Sequence, residues 1–205
     1  MRPRLLSDEQ ILDGARDCFL QHGPAISTAH IAAELGLSQA TLFKRFGTKD
    51  ELMLKALLPR ADEPLFALLN AGPTDRSTQE QLEAIAHSCL NMLYRVIPCM
   101  MTLRAANEGA AHAAMRDPNS GPLRVQAALQ GWILRAQAHG LLRDVAPRIL
   151  MSAFLGALRN RTFTTHLTGA ARDPAEERSF VHDLVQLLLD GAGPQPRAAL
   201  ALETE

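Results

Sequence analysis

Aromatic side chains are scarce in this chain, 4% of residues against a hydrophobic fraction of 47%. Strands draw on aromatic and β-branched side chains whereas Ala and Leu favour helices, so the imbalance predicts an all-α fold. Cysteine is nearly as sparse. Cys18, Cys89 and Cys99 are far apart, odd in number and free of any CxxC pair, which excludes a disulfide framework and offers no zinc-ligand spacing. A reducing cytoplasm is the compartment this pattern predicts. No apolar run approaches about 18 residues, and the opening MRPRLLSDEQ lacks the apolar core of a signal peptide, so no membrane partner is expected. Excess charge is missing too. A formal net charge of -1 over 205 residues excludes a uniformly basic surface, and any contact with nucleic acid has to be local.

What is present is a succession of helix signals. Ser7 and Gln10 form a capping box that starts a helix at about Asp8, with Ile11, Leu12, Ala15, Cys18 and Phe19 at helical spacing and Gly23-Pro24 as its stop. Ser27 or Thr28 caps a short helix over 29–35, ended by Gly36. Ser38 caps another over Gln39 to Phe46. Thr48 and Glu51 make a further capping box for a helix from Lys49 to about Arg60. Loops by composition at 71–77, 116–122 and 168–175 divide the remainder into helical segments over 62–70, 78–97, 98–113, 123–139, 145–167 and 175–190, with Pro98 expected to break or kink the second and third.

Two short helices joined through Gly36 have the geometry of a helix-turn-helix whose second member enters the major groove. Within 39–46, Leu42 and Phe46 share the inner face, leaving Gln39, Ala40, Phe43 and Lys44 outward. Gln39 at the first helical position is placed to pair with adenine N6 and N7, and Ala40 to touch a thymine methyl. Thr41, Lys44 and Arg45 are candidates for phosphate. Lys49 sits at a helix start, where a positive charge is unfavourable unless an anion joins it, so a phosphate is expected there. Ser27 and Thr28 offer a similar anion position at the preceding helix.

The string TAHIAAELGLSQATLFKRFGTKDELMLKAL resembles the N-terminal signature of the TetR family of regulators, with Ile31, Ala32, Gly36, Ser38, Thr41, Leu42, Phe46, Lys49 and Leu52 in register without a gap. Phe43 stands where the family usually has Tyr, and Arg45 where it usually has His. The resemblance implies a helix-turn-helix DNA-binding domain (1–50) and a ligand-binding and dimerisation domain (51–190), and the composition of GAGPQPRAALALETE predicts a flexible tail (191–205). It also implies a dimeric repressor released from a double-stranded DNA operator by a small molecule.

In the C-terminal part, the segment 175–190 is apolar over too wide an arc for one buried face. Phe154, Leu158, Val181, Leu184, Val185 and Leu188 are therefore the expected homodimer interface, as a four-helix arrangement. An apolar set with interspersed polar groups forms either an effector pocket or ordinary core: Phe66, Met92, Tyr94, Met101 and Trp132, with His87 and Asn91. Met100, Met115, Arg104 and Glu108 belong to the same stretch. The pairs His87 with Asn91 and Glu108 with His112 lack a third ligand, so neither metal nor cofactor is expected. No nucleophile elbow, phosphate loop or HExxH motif is present, and a non-enzyme is the expectation. A module that carries ligands or binds proteins and has lost DNA binding is the alternative reading, and an enzyme using those His and Glu residues is a weaker one.

Overall fold

The computed structural model describes residues 6–58, 63–118 and 120–191. Ten helices and no strand occur among them: α1 (Asp8–His22), α2 (Thr28–Glu34), α3 (Gln39–Phe46), α4 (Lys49–Leu57), α5 (Glu63–Ala71), α6 (Thr78–Ala106), α7 (Glu108–Arg116), α8 (Gly121–Ala138), α9 (Pro147–Thr168) and α10 (Pro174–Asp190). The all-α expectation holds. The tail from 192 onward and the expected helix end at Arg60 lie outside the described residues.

Caps set most of these boundaries. Ser7 and Thr48 both form complete capping boxes, with Gln10 and Glu51 reaching back to the cap amide. Ser27, rather than Thr28, caps α2 by accepting from the His30 amide. The turn after α2 closes with Leu37 N–H donating to the Ala32 carbonyl and Gly36 N–H to Ala33, the paired bonds of a Schellman stop. Gly36 takes φ +63°, which only glycine adopts without strain.

One expected break is absent. α6 runs through Pro98 as a single helix of 29 residues, although the proline removes one backbone donor and crowds the preceding turn. Cys99 and Leu103, beyond the proline, are buried against the N-terminal helices, and that burial offsets the lost hydrogen bond so that the helix continues. The break falls instead at Asn107, whose extended backbone ends α6 and whose side chain caps α7 by accepting from Ala110 N–H.

Two apolar clusters result. In one, Ile11, Phe19, Ile31, Leu42, Phe46 and Leu52 draw α1 to α4 together, and it also takes in Cys99 and Leu103 from α6 and Ala111 from α7. Leu52, Met53, Ala56 and Leu57 all belong to it, so α4 packs with the N-terminal unit along its whole length, beyond the boundary expected at residue 50. The larger cluster gathers α5, α8, α9, α10 and the first half of α6 around Leu90, Leu129, Trp132 and Leu158. At about 1.5 Å per residue α6 is roughly 43 Å long, enough to serve both clusters. It is the spine between them.

Candidate DNA-binding and effector sites

The outer face of the helix-turn-helix is built on the pinned inner face of α3. Leu42 and Phe46 are buried, which forces Gln39, Ala40, Phe43 and Lys44 outward; Phe43 keeps 44% of its surface exposed. Ser27 is also exposed. Thr41 is half-buried and shares a 2.8 Å hydrogen bond with the Ser38 hydroxyl, which holds the first turn of α3. Gly47, at φ +81°, then reverses the chain into α4; a Cβ there would collide with the Glu51 carboxylate.

The expected contact residues divide into three kinds. Lys44 and Lys49 have no partner among the described residues and remain available to an anion. Arg45 is different. Its guanidinium is bound to the Asp8 carboxylate and donates at 2.8 Å to the Leu6 carbonyl, so it ties α3 to the start of α1 rather than standing free for phosphate. Thr28 is likewise corrected, being only 7% exposed. Its hydroxyl accepts a 2.8 Å hydrogen bond from Gln39 Nε2. It therefore supports Gln39 from behind, leaving the Gln39 Oε1 acceptor and a second Nε2 hydrogen for a base edge.

The expected pocket residues scatter. A cavity of about 510 Å³ lies between α6, α7, α8 and α9, a size that suits a small ligand. Met92 and Met101 line it, as do Met100, Arg104, His112 and Met115 from the same stretch. Phe66 and Trp132 do not, for both are core residues, Phe66 packed beneath the Arg124 guanidinium. His87 lies more than a turn N-terminal of Met92, the first α6 residue to reach the cavity. Tyr94 and Asn91 belong to another assembly: Arg172 stacks on the Tyr94 ring at 3.9 Å, donates to Asn91 Oδ1 at 3.1 Å and chelates the buried Glu177. Those contacts anchor the loop between α9 and α10.

Leu155, Arg159 and Phe163 of α9, outside the expected pocket set, also line the cavity. Their i, i+4, i+8 spacing was the available signal, a cation set within an apolar stripe. Ala111 lines the cavity while belonging to the N-terminal cluster, and Met100 lines it while packing on that cluster. The cavity thus shares wall residues with the N-terminal unit.

The expected dimer contacts need the largest correction. Phe154, Leu158, Val181 and Val185 are buried in the core of their own chain, none more than 2% exposed, and have no surface left for a second copy. Leu184 and Leu188 are half-buried. The apolar arc of α10 leaves Leu187 outside, exposed by 52%, and α9 exposes Ile149, Phe163 and Leu167, by 61%, 44% and 66%. No group of three or more His, Cys, Asp or Glu among the described residues is placed to hold a metal. No described helix is long and apolar enough to cross a membrane.

Residues 11–56 match the family model of bacterial regulatory proteins, tetR family, in agreement with the resemblance read from the sequence. The fold is shared over nearly the whole chain with solved structures of TetR-family regulators. A protein of Mesorhizobium loti MAFF303099 assigned to that family superposes with a TM-score of 0.75 at 19% identity, covering 89% of this chain and 94% of its own. PfmR of Thermus thermophilus gives 0.64 at 22% identity, with 90% and 100% covered. The regulator FadR of Bacillus subtilis, solved in complex with stearoyl-CoA, gives 0.66 at 15% identity, with 91% and 100% covered. Comparison with curated proteins by sequence gives no match.

Proposed function

We propose that this chain, with its tetR-family N-terminal segment, is a homodimeric transcriptional regulator that releases an operator when a small apolar effector enters the cavity beside α6. The observation that carries the reading is the outer face of α3, where Gln39, Ala40, Phe43 and Lys44 are exposed while Leu42 and Phe46 are pinned beneath. In this reading Gln39 reads a base edge, and Lys44 and Lys49 neutralise phosphates.

Coupling runs through shared packing. An effector that spreads α6 from α9 presses on Met100 and Ala111, which pack into the cluster of α1 and α4. Arg16 donates at 2.9 Å to the Ala56 carbonyl and so ties α1 to α4, letting the DNA-side unit move as one body. Two recognition helices entering successive major grooves must lie about 34 Å apart. A tilt of each unit changes that distance, and an effector that favours the tilted state weakens DNA binding. FadR of Bacillus subtilis, bound to stearoyl-CoA, supports a ligand role for such a fold.

Ile149, Leu167 and Leu187 supply the apolar face for the second copy, with Leu184 and Leu188 beside it. Selection of fragments from genomic DNA tests the reading. Recovery of a discrete palindromic site supports it, whereas recovery of fragments without a common sequence refutes it.

A further inference from the structure

The charge of the cavity wall points to a ligand class. Resting on the effector reading above for the role of the cavity, we infer that its ligand is an elongated apolar molecule carrying one anionic group, held at Arg159. Most of the wall is Met, Leu, Val, Ile and Phe, yet its ionisable members are Arg104, Arg159 and His112, with no carboxylate among them. Glu108, outside the lining, is engaged with Arg104 at 3.3 Å and lies 4.0 Å from His112. Arg104 therefore already has a carboxylate partner. Arg159 has no partner among the described residues, and it leaves one uncompensated positive charge on an apolar surface.

A ligand that fills the cavity strips water from that guanidinium. A neutral apolar ligand would leave it desolvated and unpaired, and a cationic one would add repulsion. An anionic group removes both costs through a charge-assisted, bidentate hydrogen bond. A second observation agrees. The lining Pro122 lies in the first turn of α8, so the positive end of that helix borders the cavity, and the N-cap Ser120 keeps a buried hydroxyl without a partner two residues before it. Leu155 and Phe163 flank Arg159 by one turn on either side, and Met92, Met101 and Met115 supply adaptable surface for a chain of methylenes.

Titration calorimetry of the full chain with four probes of one chain length tests this: dodecanoate, dodecanol, dodecyltrimethylammonium and dodecanoyl-CoA, each below its micellar concentration. Dodecanoate or dodecanoyl-CoA is expected to bind at least tenfold more tightly than the alcohol and the ammonium. The tighter of the two anionic probes identifies the source of the charge, a free carboxylate or the phosphates of a conjugate. Arg159→Gln, at an exposed position, should lower anion affinity about tenfold and leave dodecanol unchanged, while Arg159→Lys keeps the preference for the anion. Equal or tighter binding of the alcohol or the ammonium, no binding of either anion, or an unchanged anion preference in Arg159→Gln overturns the inference. The regulator reading fails separately: anion binding that leaves DNA affinity unchanged contradicts the coupling but not the ligand class.

Discussion

Gln39 at the first position of α3 donates through Nε2 to the hydroxyl of Thr28 at the first position of α2, 2.8 Å away. The side chain proposed to meet a base is thereby oriented by the neighbouring helix before DNA arrives, and part of its ordering cost is met in the free protein. Thr28→Val keeps the shape of the buried side chain and removes the acceptor. Discrimination at the base pair facing Gln39 should fall by about 1 kcal/mol, the net worth of such a bond, with affinity for unrelated DNA unchanged. Thr28→Ser should restore it. Competition binding against single-base variants of the selected site measures both.

Lys49 and Arg45, four residues apart, should behave oppositely. Lys49 has no partner among the described residues, so Lys49→Ala should weaken binding to all sequences alike and reduce the slope of log affinity against log salt by about 1. Arg45 is spent on Asp8 and Leu6. Arg45→Ala should leave the salt slope alone and cost up to about 1 kcal/mol of stability, as expected of a partly exposed ion pair. Salt titrations by fluorescence anisotropy, with thermal melts alongside, separate the two.

Acid should loosen the start of α4. The Thr48 N–H and hydroxyl both donate to Glu51, chiefly the backbone group, and they hold its carboxyl below the usual carboxylate range. A depressed pKa in the folded state stabilises fully above the unfolded value, near about 4.3, and the contribution is lost as pH falls through the folded value. Wild type should therefore exceed Glu51→Ala in stability by a constant margin between pH 6 and 8, and the margin should close below about pH 4. Urea denaturation across that range reads the difference.

Leu187→Glu should abolish self-association without unfolding the chain, because Leu187 is 52% exposed on α10. Val181→Glu, by contrast, buries a charge in the core and should unfold the protein. Sedimentation velocity and circular dichroism distinguish these outcomes.

Local chemistry made the helix-turn-helix legible. Ser7, Ser38 and Thr48 announce their helices through caps that act within four residues, and Gly36 marks a turn whose φ is positive. Tertiary relationships were not so encoded. Pro98 reads as a break because the lost donor is local, while the burial of Cys99 and Leu103 that overrides it depends on α1 and α4, remote in sequence. Val181 and Val185 read as interface residues because an apolar arc does not say which side meets its own core. Asp8 gave no sign that it would bind Arg45, 37 residues later. Arg159 carries no mark in the sequence, because the significance of a lone cation depends on whether a carboxylate faces it, which spacing does not reveal.

The most direct test of the account compares wild type with Gln39→Ala on the fragment selected from genomic DNA and on a scrambled copy, at physiological salt. Wild type should prefer the selected fragment by about 10³ or more, and Gln39→Ala should lose about 1–3 kcal/mol of that preference while keeping its affinity for the scrambled copy. Equal binding of both fragments by wild type, or an undiminished preference in Gln39→Ala, would contradict the claim that α3 reads sequence through Gln39.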